Sequence, residues 1–209
     1  MRRDPAHELA DTLRNAVADE RVLAVIAATP RTAFVPPHLH GRAYENAPLP
    51  IGGGQTISQP LVVARMCELL DVRPGDRVLD VGTGSGWHAA LLARLGGRVL
   101  SVERDATLSA AAGRALEAAG IENVELIVGD GFEGVPDRAP FDRINVAAAS
   151  PPEALAVLEL QLADRGVLVA PLEDGRQRLV LTRRAGVRFE RRSLEPVRFV
   201  PLVPGLTSS

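Results

Sequence analysis

The chain has 209 residues, of which 46% are hydrophobic and 24% charged, which is ordinary for one soluble globular domain. The formal net charge of −2 at pH 7 provides no overall basic field that would attract nucleic acid or a membrane surface. No apolar run approaches the roughly 18 to 20 residues of a membrane span. We therefore expect neither nucleic acid nor a membrane as a partner.

The cysteine content and the start of the chain bear on the cellular compartment. Cys67 is the single cysteine and cannot form an internal disulfide, which favours a reducing environment. No apolar segment follows Arg2 and Arg3, so we expect no signal peptide. Together these features predict a cytoplasmic protein.

The first third of the chain is predicted to be helical, with one long loop. Apolar residues at helical spacing predict two short helices between residues 5 and 28. Residues 44–57 show no clear periodicity and contain Pro48, Pro50 and three consecutive glycines, which predicts a long loop of the kind that often carries function. A helix is predicted from about Pro60 to Leu70, because proline is favoured in the first turn of a helix.

From residue 77 onward, predicted strands and helices alternate. The strands are expected at 77–82, 98–103, 124–129, 142–147 and 166–171, and the helices at 86–95, 106–119 and 152–162. This alternation indicates an α/β fold with a parallel sheet and helices on both faces. Two apolar runs at 178–184 and 188–202, separated by Ala185 and Gly186, predict an antiparallel hairpin at the sheet edge.

The first predicted strand runs into a glycine turn. Gly82, Gly84 and Gly86 stand at alternate positions, and glycine permits both a positive φ and a close approach of the backbone to a ligand. Trp87 occupies the position of the last glycine in a dinucleotide motif, so the NAD or FAD pattern is not met. No Gly-Lys-Ser/Thr ending for a triphosphate loop is present. The turn favours S-adenosylmethionine, which has no pyrophosphate.

Two carboxylates are predicted at the same sheet edge as this turn. Glu103 ends the second strand, about 20 residues after the first glycine, where an acid would hold a pair of ribose hydroxyls. Asp130 follows the third strand between two glycines and could accept the exocyclic amine of adenine. The alternatives are a solvated strand end for Glu103 and a simple Asp-Gly turn for Asp130.

Ser58 stands two residues before Pro60, at the start of a predicted helix. A serine there can simply cap the helix. A helix N-terminus also presents free amide protons and the positive end of the helix dipole, so a substrate carboxylate could bind beside Ser58. Both interpretations remain open from the residues alone.

The histidines predict no further chemistry. His38 and His40 form an H-x-H pair without an acidic or cysteine partner at ligand spacing, so we expect no metal site. His88 lies in the helix behind the glycine turn, and we expect a hydrogen-bonded structural histidine there. No G-x-S-x-G elbow is present to support a serine hydrolase.

Six stretches of the sequence resemble the protein-L-isoaspartate O-methyltransferase family. They are residues 31–36, 48–52, 54–60, 78–86, 129–131 and 199–202. The glycine turn marks only the broad class of S-adenosylmethionine-dependent methyltransferases, whereas Gly-Gln-Thr-Ile-Ser-Gln-Pro at 54–60 is much more specific to this family. The similarity extends from about residue 20 to 204.

The resemblance implies a Rossmann-like methyltransferase fold. The expected sheet is doubly wound, mostly parallel and seven-stranded, with an antiparallel C-terminal edge and N-terminal helices outside it. We expect residues 1–209 to form one domain. Residues 1–60 would supply the N-terminal helices and the active-site loop, and residues 61–209 the cofactor-binding core.

The resemblance also implies roles for individual residues. Ser58 would be the active-site serine. The implied cofactor-binding residues are Gln55, Thr56, Ile57, Asp80, Gly82, Thr83, Gly84, Glu103, Asp130 and Gly131. The implied substrate-binding residues are Ile51, Gly52, Phe199, Val200, Pro201 and Leu202.

The activity implied by the resemblance is carboxyl methylation. S-adenosyl-L-methionine would donate a methyl group to the free carboxylate of isoaspartyl residues in damaged proteins or peptides, leaving S-adenosyl-L-homocysteine and leading to succinimide formation and repair. We expect a monomer. Leu61 and Ser150 depart from the common family pattern, so a relative that modifies one aspartate of a ribosomal peptide natural product is an alternative. A non-catalytic S-adenosylmethionine-binding module is another.

Overall fold

The structure is a computed structural model that describes residues 4–207, so Arg2 and Arg3, which entered the signal-peptide expectation, lie outside it. The N-terminal part contains helices α1 (Pro5–Leu13), α2 (Glu20–Ala27) and α3 (Pro60–Leu70) and the 3-10 segments Arg31–Phe34 and Pro37–Arg42. The three helices predicted in this part are confirmed. No helix between residues 4 and 207 is both long and apolar enough to cross a membrane.

The predicted loop over residues 44–57 is wrong in its second half, which forms a β-hairpin. Strand β1 (Leu49–Gly52) pairs antiparallel with β2 (Gln55–Ile57). Gly53 and Gly54 turn the chain with φ angles of 58° and 71°, which glycine adopts without a Cβ clash. Strands of four and three residues are too short to produce a readable alternation.

The remaining chain forms one seven-stranded sheet. Its strands are β3 (Arg77–Val81), β4 (Arg98–Glu103), β5 (Val124–Val128), β6 (Phe141–Val146), β7 (Leu162–Glu173), β8 (Gln177–Ala185) and β9 (Arg188–Pro196). The spatial order is β5-β4-β3-β6-β7-β8-β9, in which the first five strands are parallel and β8 pairs antiparallel with both β7 and β9. The predicted fold class and the antiparallel edge are confirmed.

Helices cover both faces of the sheet. They are α4 (Trp87–Arg94), α5 (Ala106–Ala118) and α6 (Pro152–Glu159), besides the N-terminal helices. Val78 belongs to the apolar core that includes α3 and α4, whereas its neighbour Leu79 belongs to the core beneath α6. Successive residues of a strand point to opposite faces, so a strand buried on both faces reads as a continuous apolar run.

Two boundaries differ from the predicted ones in ways that matter for the site. Strand β7 begins at Leu162, earlier than the predicted start at residue 166. The prediction missed this start because Arg165 takes a φ of 62° and the pairing with β6 shifts register there, which interrupts the apolar alternation. Strand β9 ends at Pro196, and the following residues return to the carboxyl edge of the sheet. There the Ala149 amide donates to the Val200 carbonyl and the Leu202 amide to the Ala149 carbonyl, both at 2.8 Å.

Candidate functional site

The glycine turn after β3 needs glycine at each of its three alternate positions. Gly82, Gly84 and Gly86 have φ angles of 91°, 53° and 85°, in the left-handed region that a side chain disfavours. A Cβ on Gly86 would lie 3.2 Å from the Ala112 Cβ, so the turn also lets α4 pack closely on α5. The conformation predicted from the spacing is confirmed.

Glu103 joins this turn to the end of β4. Its buried carboxylate accepts the Gly84 amide through Oε2 at 2.9 Å and the Asp105 amide through Oε1 at 3.1 Å. A carboxylate oxygen has two lone pairs, so each oxygen keeps capacity for a further donor such as a ligand hydroxyl. The solvated strand end considered from the sequence is therefore wrong.

A buried polar network lies beneath the turn. Asp80 is fully buried and accepts the Ser101 hydroxyl and the Asn145 amide group, each at 2.7 Å. The Ser101 oxygen lies 2.6 Å from the Thr83 hydroxyl, and Asn145 Nδ2 lies 3.1 Å from His88 Nδ1. The network thereby connects three adjacent strands, the glycine turn and α4. His88 is the structural histidine that the sequence predicted.

Burial controls the ionisation of this network. Removal from water raises the pKa of Asp80 to about 6, although the donors Asn145 and Ser101 oppose the shift. Burial lowers the pKa of His88 to about 3, so this imidazole is neutral near pH 7. Such a low pKa makes His88 a weak proton acceptor, and its ring is buried within the network, so it is not placed to act as a general base.

A cavity of about 300 Å³ opens at the carboxyl edge of the sheet, and we call it the edge cavity. Its lining includes six of the residues that the sequence assigned to the cofactor: Gln55, Thr56, Gly82, Gly84, Glu103 and Gly131. Three others lie behind its wall, because Ile57, Asp80 and Thr83 have buried side chains and do not line it. These three can act on a ligand only by supporting the residues that line the cavity.

The charges of the edge cavity suit a ligand without phosphates. Among its described lining residues, Glu103 and Asp105 are acidic and Arg104 is the one cation. An excess of carboxylates favours a cationic ligand and repels a pyrophosphate. Apolar side chains of Val102, Leu108 and neighbouring residues offer a surface for an adenine ring. These residues fit the positively charged sulfonium of S-adenosylmethionine.

Asp130 supports the edge cavity from outside its described lining. Its carboxylate accepts the Phe132 amide at 2.8 Å and the Gly205 amide at 2.6 Å. The first contact is the Asp-Gly turn considered from the sequence, and the second ties down the end of the chain. The Thr207 amide donates to the Arg104 carbonyl at 3.2 Å, and Val203 and Thr207 both line the cavity.

A second depression, the serine groove, has a volume of about 700 Å³ and is lined by Ser58. The other described lining residues are Pro48, Thr56, Gln59, Val62, Ala147, Pro196, Val197, Arg198, Phe199 and Val200. Thr56, Ala147 and Val200 line both the groove and the edge cavity. The two depressions therefore adjoin at these three residues, which we call the shared wall, and ligands bound in the two would be neighbours.

Neither helix-terminal role considered for Ser58 fits the structure. Gln59 is the N-cap of α3, and the Leu61 amide donates to the side-chain oxygen Oδ1 of Asn46 at 3.0 Å. Asn46 thus replaces Ser58 as the cap and occupies the amide proton on which a helix-terminal anion site would depend. Ser58 instead lines the serine groove.

The predicted substrate residues divide between several surfaces. Phe199 and Val200 line the serine groove, whereas Pro201 and Leu202 line the edge cavity. Ile51 lines a separate apolar cleft of about 210 Å³. Gly52 is exposed in the hairpin and lines none of these three depressions.

Sequence reasoning missed several lining residues. Arg104 and Asp105 follow β4 directly, and Ala147 and Ala148 follow β6. The rule that ligands bind at the carboxyl ends of parallel strands could have identified them. Arg198, the one charged side chain in the described lining of the serine groove, had no such signal.

Comparisons with known proteins show the family to which the chain belongs. A sequence profile of the protein-L-isoaspartate(D-aspartate) O-methyltransferase family matches residues 4–207. The protein-L-isoaspartate O-methyltransferase of Methylorubrum extorquens is 52% identical over 91% of this chain and 83% of its own length. That of Halorhodospira halophila is 53% identical over 90% of this chain and 86% of its own.

Solved structures share the fold. One protein-L-isoaspartate O-methyltransferase superposes with a TM-score of 0.86 at 27% identity, covering 96% of this chain and 67% of its own. A Plasmodium falciparum protein in complex with S-adenosyl-L-homocysteine superposes with a TM-score of 0.84 at 24% identity, covering 96% of this chain and 99% of its own. The architecture described above is therefore shared over nearly the whole chain.

The buried Asp80 predicts a particular pH dependence of stability. Its usual pKa of 3.8 rises to about 6 in the fold, so its contribution to stability is fully present below pH 3.8 and is lost as pH rises through about 6. Two pKa units correspond to about 3 kcal/mol. Urea unfolding between pH 3.5 and 7.5 should show Asp80→Asn gaining stability relative to wild type by about this amount. Parallel curves for the two proteins would contradict the assignment.

Proposed function

Because the chain belongs to the protein-L-isoaspartate(D-aspartate) O-methyltransferase family, we propose that it methylates the free carboxylate of isoaspartyl residues with S-adenosyl-L-methionine. Besides family membership, one observation of the structure supports this proposal. The edge cavity and the serine groove adjoin at Thr56, Ala147 and Val200, so a donor and a peptide acceptor bound in them are neighbours, as direct methyl transfer requires.

The residues of the edge cavity would hold the cofactor. Glu103 holds the ribose hydroxyls, and Gly82 and Gly84 offer backbone groups to the methionine end, with Thr83 held between them. Gly131 lines the cavity where a Cβ would lie 2.7 Å from Val81 Cγ1, and its neighbour Asp130 fixes the segment that closes this end. Gln55 and Thr56 cover the cavity from the hairpin. The cofactor supplies a methyl group made electrophilic by the sulfonium charge.

The residues of the chain need only bind the cofactor and the peptide, orient the reacting groups and exclude water from the site. An isoaspartyl carboxylate is already ionised at pH 7, because carboxyl pKa values lie near 4, and no general base is required. The Ser58 hydroxyl donates a hydrogen bond that orients this carboxylate towards the shared wall. Opposite charges cancel as the methyl group moves, so a dry site favours the reaction. Phe199 and Val200 shield the groove side from water.

The methyl ester that forms leads to repair of the isoaspartyl residue. A methyl ester has a better leaving group than a carboxylate, so the amide nitrogen of the following residue attacks the ester carbonyl, loses its proton and releases methanol. The resulting succinimide hydrolyses at either carbonyl, and part of it returns to normal aspartate. S-adenosyl-L-homocysteine is the other product of the transfer.

We also propose an oligomeric state, partners and a cellular compartment for this activity. The protein acts as a monomer on isoaspartyl peptides and proteins, with neither nucleic acid nor a membrane as a partner. Its net charge of −2 supports the first exclusion. The single cysteine is buried in the core, which supports action in the reducing cytoplasm.

A methylation assay by mass spectrometry tests the proposed function. The protein and S-adenosyl-L-methionine are mixed with one short peptide in isoaspartyl form and, separately, in normal aspartyl form. We expect a methyl mass gain, followed by loss of methanol, on the isoaspartyl peptide alone. Methylation of neither peptide with the cofactor still bound would contradict repair and favour a dedicated peptide substrate or a non-catalytic module.

The role of Ser58 predicts a selective loss of turnover. We expect Ser58→Ala to lower kcat by about 10²-fold, as loss of one positioned hydrogen-bond donor does. Affinity for S-adenosyl-L-homocysteine should stay within about twofold, because Ser58 does not line the edge cavity. Steady-state kinetics and calorimetry measure the two effects, with Ser193→Ala on the outer strand β9 as the control. Unchanged turnover would remove Ser58 from the mechanism.

The role of Glu103 predicts the opposite pattern. Glu103→Gln should raise the Kd for S-adenosyl-L-homocysteine by about 10- to 100-fold, since a hydrogen bond to a charged acceptor contributes about 1.5–3 kcal/mol. Glu122→Gln, an exposed change outside the edge cavity, is the matched control. Calorimetric titration that finds equal affinity in wild type and Glu103→Gln would refute the ribose assignment.

A further inference from the structure

Arg31 is a buried cation, and burial of a charge costs free energy unless hydrogen bonds or an opposite charge compensate it. Its side chain is only 1% exposed, and no carboxylate of the described residues forms an ion pair with it. The nearest acidic influence is Glu45, whose carboxylate is held by Arg42 instead. Burial lowers the pKa of Arg31 to about 10, so the guanidinium remains charged near pH 7.

Backbone carbonyl groups replace the missing carboxylate. Nη1 donates to Ala43 at 2.7 Å and to Glu45 at 3.3 Å, and Nη2 donates to Ala47 at 3.1 Å and to Ser58 at 3.0 Å. One guanidinium therefore ties down both ends of the segment 43–58, which contains the β1–β2 hairpin. The last of these contacts fixes the backbone of Ser58 itself.

The same guanidinium contacts the helix that follows the glycine turn. Its Cζ lies 5.3 Å from the ring centroid of Trp87, within the range of a cation–π interaction. The Trp87 indole donates to the Thr29 carbonyl at 3.3 Å, which fixes the ring. Trp87 is the first residue of α4, directly after Gly86. Arg31 thus lies between the turn that borders the edge cavity and the backbone that carries Ser58.

The geometry points to Arg31 as a positioning residue for methyl transfer, holding Ser58 and the hairpin at a fixed distance from the glycine turn. This inference rests on the proposed function. Arg31 touches no substrate and acts through the Ser58 backbone. A buried charge requires its hydrogen-bond partners in place, so the four carbonyl contacts favour one arrangement of the segment. A lysine ammonium is compact and cannot reproduce the planar fork.

Arg31→Lys tests this role. A displacement of about 1 Å at a reacting centre can cost about 10²-fold, so we expect kcat to fall by about that factor on the isoaspartyl peptide. The Kd for S-adenosyl-L-homocysteine should change by less than about threefold, because most of the edge cavity belongs to other elements. Arg94→Lys is the matched control, since Arg94 also donates to a carbonyl but is exposed.

Chemical rescue separates positioning from general destabilisation. Arg31→Ala leaves a space at the four carbonyl groups, and methylguanidine at millimolar concentration should restore part of the lost kcat. The same additive should not raise the activity of the wild type, of Arg94→Lys or of Ser58→Ala. Rescue of Arg31→Ala alone would show that a guanidinium at this position supports turnover.

Three outcomes would overturn the inference. An unchanged kcat in Arg31→Lys would exclude a positioning role. A parallel loss of turnover and cofactor binding in Arg31→Lys and Arg31→Ala, without rescue by methylguanidine, would show that Arg31 only stabilises the fold. A wild-type protein that fails to methylate the isoaspartyl peptide would refute the proposed function, and the role of Arg31 with it.

Discussion

The buried carboxylate of Asp80 is the constraint on which the rest of the site depends. A carboxylate removed from water must be hydrogen-bonded, and Asp80 receives its donors from Ser101 on β4 and Asn145 on β6. The contact between Ser101 and Thr83 extends the same network into the glycine turn. The three central strands and the turn are therefore fixed together, and the backbone that borders the edge cavity is set before any ligand binds.

Two consecutive residues connect this network to the other half of the site. His88 contacts Asn145 in the network beneath the turn, and Trp87 contacts the buried guanidinium of Arg31. Arg31 in turn binds the carbonyl group of Ser58. The start of α4 thus links the cofactor side of the shared wall to its substrate side. Methyl transfer depends on alignment more than on acid–base chemistry, so such a rigid connection is what the reaction needs.

The sequence predicted the parts of the site that depend on local structure. The alternate glycines and Glu103 follow from strand-to-turn-to-helix spacing, which is readable along a short stretch. The return of the chain near Leu202 was implied by the family resemblance alone and not by spacing, because it depends on a backbone contact with Ala149, more than 50 positions away. Local spacing likewise did not indicate that Asn46 caps α3, since that contact depends on packing between distant segments.

A crystal structure of the protein with S-adenosyl-L-homocysteine and a short isoaspartyl peptide tests the central claim most directly. We expect the cofactor in the edge cavity with its sulfur atom at the wall formed by Thr56, Ala147 and Val200. The isoaspartyl carboxylate should lie in the serine groove within hydrogen-bond distance of the Ser58 hydroxyl. A carboxylate bound away from Ser58, or a sulfur atom remote from the shared wall, would contradict the account.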